Sequence, residues 1–156
     1  TRSARECIQM LASCASGDGN LLLNVGPMPS GEIAPEQVSV LKEIGQWIGK
    51  YGESIYGTRG GPYHNGRWGG ATYKGNTVYL HCFALGDGKL TLPPLKAIVV
   101  AATALAGGEV NVQQSAKGVV LQIAPAKIDA ADTVIKLELD GPAAAEMRDY
   151  TPLEVP

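Results

Sequence analysis

Gly19-Asn20-Leu21-Leu22-Leu23-Asn24-Val25-Gly26-Pro27 is the stretch on which the reading of this chain turns. Leu21 to Val25 is apolar without alternation, as in a strand of a parallel sheet covered on both faces. Ser16-Gly17-Asp18-Gly19 precedes it with turn chemistry, and Gly26-Pro27-Met28-Pro29-Ser30-Gly31 follows as a loop, because proline cannot donate to a ladder. Upstream, Ser3 to Ala15 has a helical period, with Ser3 as cap, Glu6 three residues on, and Cys7, Ile8, Met10, Leu11 and Cys14 as the apolar stripe. Downstream, Pro35 suits a first helical turn. Val38, Leu41, Ile44, Ile48, Tyr51 and Ile55 recur at helical steps. Gly45 and Gly49 inside that helix are costly, and close packing on a neighbour would explain them. One buried strand between two helices cannot bury itself, so this unit reads as a slice of a larger layer.

From Gly57 the pattern changes. Glycines punctuate the span to Gly75, and short strands follow: Thr77 to Ala84, Lys89 to Leu92, Ala97 to Leu105, Glu109 to Gln113, Val119 to Ile123 and Thr133 to Leu139. Close spacing and Gly-rich turns predict an antiparallel β-sandwich. The fold class expected is therefore an α+β fragment, the last β/α unit of a (β/α)8-like barrel followed by that sandwich. The domain boundary is placed so that residues 1–58 are the barrel end and 59–156 the sandwich.

The bulk numbers set limits. The chain has 156 residues, 45% hydrophobic and 18% charged, which suits a packed domain. A formal net charge of −2 argues against nucleic acid or an anionic membrane as partner, and the longest apolar run is far short of a membrane span. Cys7, Cys14 and Cys82 have no framework spacing and read as small buried apolar residues. With only His64 and His81 as histidines and no CxxC, no metal site is expected. The first residue is Thr1, which reads as a fragment or a processed piece, so export cannot be judged from this end.

The motifs resemble a known family. Asn20 to Pro27, with Gly31, Ile33, Leu41, Ile44-Gly45, Trp47 and Gly52-Glu53-Ser54-Ile55-Tyr56-Gly57-Thr58, is similar to the C-terminal end of the catalytic domain in α-L-fucosidases of glycoside hydrolase family 29. Arg59-Gly60-Gly61-Pro62, Arg67-Trp68-Gly69-Gly70, Thr72, Lys74-Gly75-Asn76, Tyr79-Leu80-His81, Asp132-Thr133-Val134 and Leu137 to Pro142 resemble the β-sandwich that closes those enzymes. The resemblance covers about residues 1 to 142. It implies a retaining exo-glycosidase that removes terminal α-L-fucose with an Asp nucleophile and a separate acid/base carboxyl. In the family both lie upstream of this stretch, so no catalytic residue is carried over. It also implies no cofactor, fucosylated glycans and the upstream barrel as partners, a possible oligomer, and an extracytoplasmic setting (periplasmic, secreted or lysosomal).

Some residues are candidates for the rim of such a site. Asn24 ends the strand, where βα loops carry chemistry; it either orients a catalytic group or satisfies the strand's backbone. His64, Arg67 and Trp68 form a polar-aromatic cluster in a Gly-rich loop, as sugar contacts or as packing between the two parts. Asp18, Glu32 and Glu53 read as caps or solvated charges, with a minor site role open for Glu32. His81 faces solvent or the barrel. A different class stays open: a non-catalytic carbohydrate-binding or structural β-sandwich module, with Trp68, Tyr63, Tyr73 and Tyr79 as its aromatic contacts.

Overall fold

The computed structural model describes residues 2–147; the last nine residues assigned to the second domain lie outside them. Helix α1 is Ala4–Ser16 and α2 is Pro35–Tyr51. Eight strands follow: β1 Arg59–Gly60, β2 Gly69–Lys74, β3 Thr77–Cys82, β4 Lys89–Leu92, β5 Val99–Ala104, β6 Val110–Ser115, β7 Gly118–Ile123 and β8 Thr133–Leu139. They form two antiparallel sheets, in the orders β1-β2-β3-β8-β5 and β4-β7-β6. The chain is thus α+β.

The α1 cap is the expected one. Glu6 N–H donates to Ser3 Oγ at 3.2 Å, and Ser3 N–H donates to Glu6 Oε2 at 2.8 Å. Pro35 opens α2. Two of the expected strands, Lys89–Leu92 and Thr133–Leu139, have the bounds read from the sequence. Strands β1 and β2 were not anticipated, because their glycines look like loop.

The larger sheet is covered on both faces. Val78, Leu80, Ile135 and Leu137 share one core with Leu90, Leu121 and Ile123 of the smaller sheet. On the opposite face Tyr79 and Val134 pack with Cys7, Ile8, Ile44, Trp47 and Tyr51 of the helices. The alternation of β3 sends each neighbour to a different core.

Three expectations change. Leu21–Val25 forms no strand: residues 20–26 have no ladder partner among the described residues. Leu22 is 86% exposed, and Leu23 and Val25 are also exposed. A strand needs another about 4.8 Å away to take its N–H and C=O groups, and this chain offers none there. What pins the segment is Gly26 N–H donating to Gln37 Oε1 at 3.1 Å and a bridge between Pro27 and Ile33. Second, a Cβ built on Gly45 or Gly49 meets nothing within 4 Å, so neither glycine is explained by packing within this chain. Third, of the two alternatives for His81 the solvent one falls: the side chain is wholly buried, on the helix side of the sheet near Trp47.

Candidate functional site

Three clefts hold the residues singled out in the sequence. The first, of about 390 Å³, lies between α1, α2 and the unpaired segment, with Asn24, Gly26, Gln37 and Leu41 among its walls. Asn24 is exposed there. Its floor includes Cys7 and Met10 from α1, and apolar side chains from the segment line one side.

The second cleft, about 620 Å³, sits where the end of α1 meets the loop after β1. His64 lines it with Ser16, Asp18, Tyr63 and Asn65. The junction is drawn together by Asp18, which accepts from Arg59 Nε at 2.7 Å, Arg59 Nη2 at 2.5 Å and Gly60 N–H at 3.1 Å. Asn65 Nδ2 donates to Ser13 O at 2.8 Å and holds the loop on α1. Gly60 has to be glycine: a Cβ there would come within 2.5 Å of the Ser16 carbonyl oxygen and the Asp18 nitrogen.

Asp18 gives this junction a pH dependence. Chiefly the Arg59 guanidinium, then the Gly60 N–H, holds its carboxyl below the ordinary 3.8, at about 2. A folded-state value below the unfolded one stabilises the fold above the unfolded value, and that contribution is lost as pH falls through the folded value. Asp18→Asn is expected to lower the urea midpoint near neutral pH. The gap to wild type should shrink between about pH 4 and about pH 2. A gap that stays constant down to pH 2 would show that ionisation of Asp18 is not what holds the junction.

The third cleft, about 630 Å³, runs along α1 and is closed by the loop before β2. Arg67 lines it with Arg2, Arg5, Glu6, Met10, Leu21 and Phe83. Gly66 and Gly69 exchange backbone hydrogen bonds of 2.9 and 3.1 Å, so Arg67 and Trp68 stand at the tip of a tight turn. Trp68 does not share the Arg67 groove. It is half-buried on the core between the sheets, edge-on to Tyr63 at 6.5 Å between ring centres. Asn24, His64 and Arg67 therefore stand in different clefts, and Trp68 is packing material for the core.

The other aromatic candidates are occupied too. Tyr63 is buried, its hydroxyl donating to Pro93 O at 2.9 Å. Tyr79 is buried and donates to Glu53 Oε2 at 3.0 Å; burial, then this carboxylate, pushes its hydroxyl up to about 12. Lys136 Nζ also reaches Glu53, at 3.4 Å. Glu53 thus ties the end of α2 to the sheet.

One polar cluster was not anticipated. His81 Nδ1 and Asp132 Oδ2 are 2.6 Å apart, both side chains fully buried. Thr72 Oγ1 donates to Ser54 O at 2.6 Å and lies 3.4 Å from His81 Nε2. This chain of bonds links the turn after α2 to β2, β3 and β8. Its only outward trace is a histidine amid an apolar strand. The hydroxyl beside it, Thr72, is wholly buried and gives its proton to Ser54 O; the nearby Cys82 faces the other core, and burial pushes its thiol well above the ordinary value. Among the described residues the three cysteines are free, no group of His, Cys, Asp or Glu is arranged to hold a metal ion, and no helix is long and apolar enough to cross a membrane.

Comparison with known proteins gives consistent matches. A family model described as Alpha-L-fucosidase matches residues 1–53. A putative α-L-fucosidase of Caenorhabditis elegans is 44% identical over 57 residues, 36% of this chain and 12% of its own length. An α-L-fucosidase of Dictyostelium discoideum is 35% identical over 89 residues, 55% of this chain and 19% of its own length. Among solved structures, α-L-fucosidase isoenzyme 1 of Paenibacillus thiaminolyticus superposes with a TM-score of 0.80 at 36% identity, over 89% of this chain and 35% of that one. The α-L-fucosidase of Vibrio sp. strain EJY3 gives 0.82 at 28% identity, over 90% and 26%. The chain spans about a third or less of the length of these proteins. The chain is thus similar to part of the α-L-fucosidases, in sequence over its first residues and in fold over most of its length.

Proposed function

We propose that this chain is the C-terminal part of a retaining exo-α-L-fucosidase of glycoside hydrolase family 29, which hydrolyses terminal α-L-fucose from glycans. The nucleophile and acid/base carboxylates belong to an upstream portion. In this reading residues 1–58 are the end of the catalytic barrel and 59–156 a C-terminal β-sandwich. The observation that carries it is the segment Leu21 to Val25, with a buried strand's composition but with Leu22, Leu23 and Val25 exposed and no ladder partner among the described residues. A neighbouring strand and the remaining staves of a barrel would supply what it lacks. The fucosidases similar to this chain are longer: it covers 35% and 26% of two of them.

The chain's own part in the reaction is architectural. α1 and α2 hold the segment so that Asn24 lies at the end where barrel chemistry takes place, as a rim residue. The larger sheet backs the two helices through Tyr79, Val134 and the Glu53 contacts. The upstream portion and fucosylated glycans are the partners in this reading. A free-standing sugar-binding module is the weaker reading, because Trp68, Tyr63 and Tyr79 are committed to packing and hydrogen bonds.

The test is hydrolysis of an aryl α-L-fucoside by the 156-residue chain alone and after mixing with the upstream portion of the same enzyme. The chain alone is expected to give no turnover above background, and the mixture to give enzyme-like turnover with the α-anomer released first. Turnover by the chain alone would place a catalytic pair within it. An inactive but assembled mixture would remove the fucosidase reading.

A further inference from the structure

Arg2, Arg5 and Arg67 line one groove, and no salt bridge to any of them exists among the described residues. Arg59, the remaining described arginine, is committed to Asp18. The guanidinium groups without an ion pair are thus gathered in one place on a chain whose net charge is −2. Glu6 is the groove's carboxylate, and it is engaged as the acceptor of the α1 cap. Arg2 acts on Glu6 only as a minor electrostatic influence. The cationic groups outnumber the acidic one along an open groove of about 630 Å³.

The lining is not all charged. Met10, Leu21 and Phe83 also line the groove and give it apolar surface. Phe83 is half-buried and its backbone is fixed, its N–H donating to Trp68 O at 2.8 Å. Arg67 is carried on the turn closed by Gly66 and Gly69, so its approach to the groove is set by backbone hydrogen bonds. A guanidinium fork matches two oxygens of a sulfate or carboxylate, and the aliphatic face of a sugar ring suits an aromatic floor.

We infer that this groove binds an acidic sugar, its sulfate or carboxylate held by Arg67 with Arg2 and Arg5 and its ring lying over Phe83. The anion follows from the arginines; the choice of a sugar rests on the fucosidase reading.

The test is a titration of the 156-residue chain with four probes, followed by backbone NMR shifts: sulfated fucose, glucuronate, unsubstituted fucose and inorganic sulfate. Sulfated fucose or glucuronate is expected to bind about tenfold more tightly than fucose or inorganic sulfate. Shifts should be centred on Arg5, Arg67 and Phe83, and binding should weaken severalfold from about 50 mM to about 500 mM salt. Arg67→Gln and the double variant Arg2→Gln/Arg5→Gln should each lose about tenfold in affinity. Lys117→Gln, in the exposed turn between β6 and β7, should lose none. The substituted positions are exposed, so the variants keep the fold, which thermal melts verify. Equal affinity for fucose and its sulfated form overturns the proposal, as does full affinity in the arginine variants or no binding at about 10 mM. Inorganic sulfate binding as tightly as the sugars overturns the glycan assignment. None of these readings depends on hydrolysis, so loss of the fucosidase reading and loss of this site are separable results.

Discussion

Asp132→Ala will lower the stability of this chain by about 3 kcal/mol, the upper end of the cost of leaving a buried hydrogen-bonding group without its partner. Asp132 and His81 are 2.6 Å apart and neither side chain is exposed. Truncation leaves the imidazole facing a hole, with Thr72 as its remaining polar contact. Thr72 cannot replace Asp132, since its hydroxyl faces Nε2 and the lost partner was at Nδ1. The cluster also joins elements that the sequence keeps far apart: the turn after α2, two adjacent strands, and the residue before β8. Asp132 Oδ1 and Trp47 Nε1 are both buried and have no hydrogen-bond partner among the described residues.

Urea unfolding of Asp132→Ala, His81→Ala and the double variant tests this. The double variant should lose clearly less than the sum of the singles, because each single already abolishes the shared bond. Additive losses, or a loss below about 1 kcal/mol for Asp132→Ala, would mean that the pair is incidental to stability. Glu53→Gln is the useful contrast. Its carboxylate is half exposed where it meets Lys136, so solvent screens that ion pair and the expected loss is small.

This cluster also marks the limit of what the chain reveals before it is folded. Local signals survive. Ser3 and Glu6 declare a helix start because a cap is satisfied within four residues. Lys89–Leu92 and Thr133–Leu139 are legible because alternation is clean and turns bound both ends. Strand β2 was hidden because Gly69 and Gly70 have loop-like composition, although both are buried in the sheet. The Asp132–His81 contact depends on the pairing of β3 with β8, Cys82 opposite Thr133, and no local pattern fixes a register across that separation. The same applies to Asp18 and Glu53, read as caps or solvated charges and found bonded to Arg59 and to Tyr79. The Leu21–Val25 segment is the converse case. Its composition is legible as a buried strand, yet this chain alone leaves it unpaired. Among the candidate site residues, Asn24 and Arg67 line clefts as loop polarity suggested, whereas Trp68 follows its area into the core.

Gly69→Ala is expected to cost about 3–5 kcal/mol, by strain and overlap together. Gly69 has φ +134°, a conformation that side chains rarely adopt, and a Cβ there would fall 1.6 Å from the His81 carbonyl oxygen. That atom is backbone of the adjacent strand, so relief requires β2 and β3 to part where Gly69 faces Cys82. Gly75 separates the two causes. Its φ is +59°, but a Cβ there meets nothing within 4 Å. Gly75→Ala should therefore lose only the left-handed backbone penalty, about 1–2 kcal/mol. Equal losses at the two positions in urea unfolding would show that crowding against His81 contributes nothing. The position also connects stability to binding. Gly69 closes the turn that presents Arg67, its N–H donating to Gly66 O at 3.1 Å and its carbonyl accepting from Gly66 N–H at 2.9 Å. Moving this end of β2 moves Arg67 away from Arg2, Arg5 and Phe83. Gly69→Ala should then weaken sulfated-fucose binding about as much as Arg67→Gln does, under conditions where the variant is still folded. Gly75→Ala, at the far end of the hairpin, should leave that affinity unchanged.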